Sequence, residues 1–193
     1  MSSIYYFGNF PSVPYSMGGA SQTLPIDITK RFTITQLIKN AVSNYYSYTI
    51  EEGERPDTVA YKMYKNEKLD WLVLLVNEVQ DPYFSWPLTY ETLNNYIIDK
   101  YGSVSNAMNS VHHYEWIVST KTKTNDADGE TVYVPEIVII VDKSKYDTLA
   151  PAARRAVSQF DYENNLNDQR RVINLIDPRY TQTIVDQYKQ LFA

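Results

Sequence analysis

YTIEEGERPDTVAYKMYKNEKLDWLVLLVNEVQDPYFSWPL, Tyr48 to Leu88, decides the fold. Tyr45 to Ile50 supplies the β-branched and aromatic residues of a short strand. Gly53 marks a turn, and Pro56 occupies an early helical position with Asp57 favourable against the positive end of the helix dipole. Val59, Ala60, Met63 and Tyr64 then make one apolar stripe. Asn66 and its neighbours turn the chain into a second helix, in which Leu72, Leu75, Val76 and Val79 share a face that Trp71 and Leu74 widen. A helix so broadly apolar needs cover on more than one side. It ends before Asp81-Pro82, because a residue preceding proline is pushed away from helical angles. The stretch therefore predicts a compact β-α-α unit with an aromatic exit segment.

Working outward, residues 1 to 26 carry Pro11, Pro14, Pro25, Gly8, Gly18, Gly19 and several serines without apolar periodicity, the composition of an extended arm. Fully stretched, such an arm reaches on the order of 80 Å. Its aromatics, Tyr5, Tyr6, Phe7, Phe10 and Tyr15, do not suit a free tail. The arm is expected in a groove, on its own body or on a neighbour. Phe32, Ile34, Leu37 and Ile38 lead toward a short helix through Val42.

Beyond the central stretch, Thr89 is an N-cap for a helix through Tyr101 that carries Tyr90, Leu93 and Ile97, and Gly102 stops it. A second short helix fits Ser103 to Val111. The period then changes: Tyr114, Trp116 and Val118 alternate, and Val132, Val134 and Ile137 to Val141 follow a turn at Asn125 to Gly129, a β-hairpin pattern. Tyr146 to Asn165 reads as helix, with Pro151 near a start, and Arg171 to Ile176 reads as a strand. Ile184, Tyr188 and Leu191, with Val185 and Phe192 beside them, define a final amphipathic helix. The expected fold is α+β, divided into an extended aromatic arm at 1–26, the β-α-α unit with its following helices at 27–111, and a β-hairpin and C-terminal helical region at 112–193.

Composition narrows the function. Of the 193 residues 44% are hydrophobic, enough for a core, so disorder of the whole chain is not expected. Without cysteine there is neither a disulfide framework nor a thiolate metal site. The longest apolar runs, Trp71 to Val76 and Ile137 to Val141, fall far below the roughly 20 residues of a membrane span, and Ile4 to Phe10 lacks the pattern of a secretory signal. No membrane partner is expected. A net charge of −5 gives no attraction to a polyanion, so nucleic acid is not expected as a partner either. Arg154-Arg155 and Arg170-Arg171 read as helix-face pairs that sit in solvent or hold carboxylates. The 18 tyrosines against 6 glycines favour a protein that meets other surfaces, although many tyrosines must also line its own core.

Candidate chemistry is sparse. His112 and His113, the two histidines, are adjacent in a strand, so their side chains are expected on opposite faces, where one metal cannot easily use both. Asn125 to Glu130 imitates a calcium loop, but with Gly129 as its sixth position the required bidentate glutamate becomes Pro135. Glu51, Glu52, Glu54 and Asp57 cluster in the turn of the central unit; a glycosidase pair is conceivable, and a solvated acidic turn explains them more simply. No glycine-rich phosphate loop is present. Neither catalytic residue nor metal nor cofactor is assigned, and no enzymatic activity is expected.

The order strand, turn, helix, helix resembles a LysM module, with Gly53-Glu54-Arg55-Pro56-Asp57-Thr58-Val59 as the turn, Ala60 in the small position and Asn77 ending the second helix. Asp27-Ile28-Thr29-Lys30-Arg31, Glu54-Arg55-Pro56-Asp57, Ala60-Tyr61-Lys62-Met63-Tyr64, Asp70-Trp71, Asp81-Pro82 and Trp86-Pro87-Leu88 together resemble, more narrowly, the baseplate wedge protein 53 family of T-even-like contractile-tailed bacteriophages. That resemblance implies a virion protein, assembled in the host cytoplasm. It further implies a structural subunit present in several copies per baseplate, which joins wedge components and clamps adjacent wedges beside core-bundle and sheath-initiator-like subunits. The LysM resemblance implies an alternative, a protein that binds peptidoglycan or N-acetylglucosamine polymers. For the clamp, the expected anchors are Tyr5, Tyr6, Phe7 and Phe10 on the arm, Arg55, Trp71, Tyr83 and Trp86 on one face of the central unit, and Tyr188, Leu191 and Phe192 on the last helix.

Overall fold

A computed structural model describes residues 5–16, 23–30, 32, 45–125 and 131–191. The fold is α+β and divides into two compact units, one formed by Met1–Leu88 with Gln169–Ala193 and the other by Thr89–Asp168. The chain thus leaves the first unit after the central stretch and returns to it for its last strand and helix. This differs from the segmentation at 27–111 and 112–193, because the strand after residue 171 finds its partner before residue 50 rather than among its neighbours in sequence.

In the first unit, β1 (Tyr45–Thr49) pairs antiparallel with β7 (Val172–Ile176), from Tyr45 opposite Ile176 to Thr49 opposite Val172. Alternation along β7 buries Ile173 and Leu175 and exposes Val172, as a strand with one covered face requires. The cover is helical. Helix α1 (Pro56–Tyr64) begins with Pro56 in its first turn and buries Val59 and Ala60 completely, and it ends where Lys65 adopts a left-handed conformation and its N–H reaches the Tyr61 carbonyl. After a 3₁₀ turn at Glu67–Leu69, helix α2 (Asp70–Val76) buries Trp71, Leu72 and Val73. Helix α7 (Pro178–Leu191) adds Ile184, Val185 and Tyr188 to the same core.

Asn77, the residue after α2, fastens helix to sheet. Its side-chain amide donates to the Val73 and Asn174 carbonyls, both at 2.8 Å, while its oxygen accepts from the Asn174 N–H at 2.8 Å. One side chain thereby closes a helix end and satisfies both backbone groups of Asn174 in β7.

Of the two places expected for the aromatic arm, its own body or a neighbour, its first residues take their own body, where they are folded rather than extended. Residues 5–10 form a turn in which the Gly8 N–H meets the Tyr5 carbonyl and the Phe10 N–H meets the Phe7 carbonyl. Antiparallel bridges Ser12 to Ile26 and Tyr15 to Thr23 then fold the chain back on itself. Phe10 is buried in the core of this unit and Tyr6 packs against it. The apolar surface available on Trp71, Phe32 and Tyr188 outweighs the reach an extended arm would have. The short helix expected through Val42 lies outside the described residues.

The second unit opens with α3 (Tyr90–Tyr101), capped by the Thr89 side chain and stopped by Gly102 at φ 83°, and α4 (Val104–Asn109), capped by Ser103. Strand β2 (Val111–Ser119) is the middle of a three-stranded antiparallel sheet, between β5 (Ile137–Val141) and β6 (Arg154–Ser158). Strands β3 (Thr122–Asn125) and β4 (Thr131–Val134) form the expected hairpin extension, whose turn lies outside the described residues.

The single helix expected over Tyr146 to Asn165 is replaced by α5 (Lys143–Thr148), a 3₁₀ turn at Pro151–Ala153, β6 and α6 (Gln159–Gln169). Pairing with β2 overrides local helix propensity here: Val157 is buried, and Ser158 turns the chain into α6 by accepting the Asp161 N–H. Arg154 and Arg155 consequently lie on a strand. Arg155 bridges Glu115 and Glu136 at 2.6 and 2.8 Å, and Arg154 stacks over Tyr146.

Candidate interaction surfaces

The acidic turn between β1 and α1 carries an internal network. Glu54 is buried, and its carboxylate accepts from Tyr48 Oη at 2.8 Å, from the Glu51 N–H at 3.1 Å and from Lys62 Nζ at 2.8 Å. Burial pushes this carboxyl up, and the hydrogen bonds from Lys62, the Glu51 N–H and Tyr48 more than offset that, holding it below the usual range. The three other carboxylates also have cationic partners: Glu51 with Lys62, Glu52 with Arg171 and Asp57 with Arg55. The solvated acidic turn read from the sequence is therefore corrected at Glu54, which works as a buried pin.

That pin sets the exit segment. The Trp86 indole N–H donates to the Glu54 carbonyl at 2.8 Å, burying the ring. Five residues earlier, Asp81 Oδ1 accepts from the Tyr83 and Phe84 N–H groups at 2.9 and 3.3 Å, and the Ser85 N–H reaches the Asp81 carbonyl. This tight turn after Pro82 points two aromatics outward: Tyr83 is 82% and Phe84 63% exposed. A turn that fixes its backbone while presenting bare rings gives a partner a rigid apolar contact at low entropic cost.

The expected anchors separate into two groups. Phe10, Trp71, Trp86 and Tyr188 are core residues, with Trp71 and Tyr188 in ring contact at 5.1 Å and the Tyr188 hydroxyl donating to the Tyr5 and Tyr6 carbonyls. Tyr6 stacks on Tyr188. Phe10, the half-buried Tyr6, Trp71 and Tyr188 hold the N-terminal turn to its own unit, while Trp86 is buried against the β1–α1 turn. Tyr5, Phe7, Arg55, Tyr83 and Leu191 remain at the surface, Tyr5 beneath the Lys68 ammonium and Arg55 beside Asp57. Leu191 is 61% exposed, so the apolar stripe of α7 ends at Tyr188. Phe192 lies outside the described residues.

Sequence reasoning does not single out Phe84 or β5 as surface. Ile137, Val138, Ile139 and Ile140 are all exposed on an edge strand of the three-stranded sheet, Ile140 at 70%. The signal was present: a strand with one wet face alternates, whereas Ile137 to Val141 is apolar at every position. An exposed apolar edge is a liability in a free monomer and a docking element in a subunit of a larger body.

At the start of α7, the Asp177 carboxylate accepts from the Arg179 N–H and guanidinium and from Tyr46 Oη. The Arg179 side chain first, then its N–H, lowers this carboxyl to about 2. No helix among the described residues is long and apolar enough to cross a membrane.

The chain is similar to the baseplate wedge protein gp53 of Enterobacteria phage T4, with 29% identity over 102 residues, 51% of this chain and 52% of that relative. The match thus spans about half the length of the curated relative. The family described as base plate wedge protein 53 matches residues 7–191. Spanning both units, that match shows that the chain belongs to the base plate wedge protein 53 family.

Proposed function

We propose that this subunit joins wedge components and clamps adjacent wedges as the phage baseplate assembles, without breaking covalent bonds. Its family is one of structural baseplate proteins, which are parts of the virion. The observation that carries the reading is the presence of bare apolar surface on each of the two units: Tyr83 and Phe84 on the first, Ile137 to Ile140 on the second. One chain with two docking elements gains from effective concentration, since capture of either element holds the other near its own target. Neighbouring wedge proteins, among them core-bundle and sheath-initiator-like subunits, are the partners, and several copies act in each baseplate. The strand-helix-helix-strand core with Asn77 at the end of α2 serves as a LysM-like frame that grips protein rather than glycan.

The test is complementation of a phage lacking the subunit. Replacing Tyr83 and Phe84 by Ser, or Val138 and Ile140 by Thr, leaves a folded chain and reduces recovery of complete baseplates by at least tenfold. Undiminished assembly with all four replacements overturns the clamp. Retention of the unmodified chain on chitin, released by N-acetylglucosamine oligomers, would instead support glycan binding.

A further inference from the structure

The two histidines do not point apart. Along the β2–β6 ladder, Val111 lies opposite Ser158 while His113 lies opposite Val157, so the register slips by one residue at His112. An extra residue in one strand bends it and re-aims its side chains. Here it brings the imidazoles together, their Nδ1 atoms 2.8 Å apart and their planes crossed at 86°. Tyr162 of α6 stacks on His112 with centroids 3.7 Å apart, which fixes that ring.

His113 is fixed from its other side. Its Nε2 lies 3.2 Å from Glu115 Oε1, and the second Glu115 oxygen accepts from Arg155 Nε at 2.6 Å. With Nε2–H donating to the carboxylate, Nδ1 of His113 keeps its lone pair. A carboxylate behind a histidine is the arrangement that orients metal-ligating imidazoles and raises their basicity. Among the described residues no group of three or more His, Cys, Asp or Glu is placed to hold a metal ion, so this pair supplies two protein ligands and water must supply the rest.

We propose that His112 and His113 form a two-imidazole site for a divalent transition ion, Cu²⁺ before Ni²⁺ or Zn²⁺. The bite distance selects the geometry. With metal–nitrogen bonds of about 2.0 Å, ligands at a right angle have nitrogens about 2.8 Å apart, and a tetrahedral angle needs about 3.3 Å. The observed 2.8 Å suits tetragonal coordination, which Cu²⁺ and Ni²⁺ adopt, and Cu²⁺ binds nitrogen ligands most strongly in its series. In the metal-free chain one proton lies between the nitrogens, His112 Nδ1–H donating to His113 Nδ1. The ion displaces that hydrogen bond, sitting to one side of the line between the nitrogens where both lone pairs turn toward it, and His112 carries its hydrogen on Nε2 instead.

Because the chain has no other histidine and no cysteine, imidazole coordination reports on this pair alone. The experiment titrates the untagged full chain with Cu²⁺ in a non-coordinating buffer, followed by electron paramagnetic resonance and calorimetry. The expected result is one ion per chain with coupling to two imidazole nitrogens. H112A and H113A each raise the half-saturating Cu²⁺ concentration by about tenfold or more, and E115Q also raises it, as loss of a supporting carboxylate does. Circular dichroism confirms that each variant is folded. Wild-type protein without imidazole coupling, or equal Cu²⁺ binding by the double variant H112A/H113A, overturns the proposal and leaves the pair a hydrogen bond only.

Discussion

Glu54 holds the β1–α1 turn from inside. Glu54→Ala leaves the Tyr48 hydroxyl, the Glu51 N–H and the Lys62 ammonium without their shared acceptor. Lys62 is half in water, which limits its share, so the expected loss is about 2 kcal/mol, read as a lower urea midpoint at unchanged slope. Asp177 gives a pH signature. Its carboxyl is depressed in the folded chain to about 2 from an ordinary 3.8, so its stabilising effect is present in full above 3.8 and fades as pH falls toward 2. The melting-temperature gap between wild type and Asp177→Asn is therefore wide at pH 6 and narrow at pH 2.5; a gap constant with pH would show that ionisation of Asp177 does not matter. At this scale residue type was legible and residue address was not. Trp71 and Tyr83 both read as large aromatic contacts, yet one is interior and the other bare, because cores and interfaces draw on the same side chains.

Among elements, those with strong local signals were legible. Pro56 and Thr89 fixed the starts of α1 and α3, Gly102 fixed an end, and the β7 and α7 patterns matched their observed positions. Strand β6 was not, since Arg154 to Ser158 becomes a strand only through pairing with a segment some forty residues earlier, and Arg155 owes its place to Glu115 and Glu136. The bulge at His112 was hidden for the same reason: period-two alternation says nothing of a slip imposed by a partner strand. Two substitutions probe how elements are joined. Asn77→Ala removes two hydrogen bonds to Asn174 of β7 and one to the Val73 carbonyl of α2 and is expected to cost about 1–2 kcal/mol, with faster hydrogen exchange at the Asn174 amide. Phe10→Ala opens a void beside Tyr6 and Phe7 and is expected to cost about 3 kcal/mol by chemical denaturation. It also separates the tasks of the N-terminal turn, since this loss occurs in the isolated chain, before any partner is met.

For the whole molecule, the first unit is discontinuous in sequence and the second is not. A fragment of residues 1–88 lacks β7 and α7, and with them Ile173, Leu175, Ile176, Ile184, Val185 and Tyr188 of the core. It is expected to show no cooperative thermal transition by circular dichroism, and adding a peptide of residues 169–193 restores one. A sharp transition in the fragment alone would show that α1, α2 and β1 suffice. The pairing of β1 with β7 also sets an order of events during synthesis. At about 5–20 residues per second, the ribosome delivers β1, α1 and α2 on the order of ten seconds before their closing strand emerges. The inserted unit is therefore complete in the chain while its host is still open, and a product cut short between residues 89 and 172 is expected to leave the apolar core of that open half bare to chaperones and proteases.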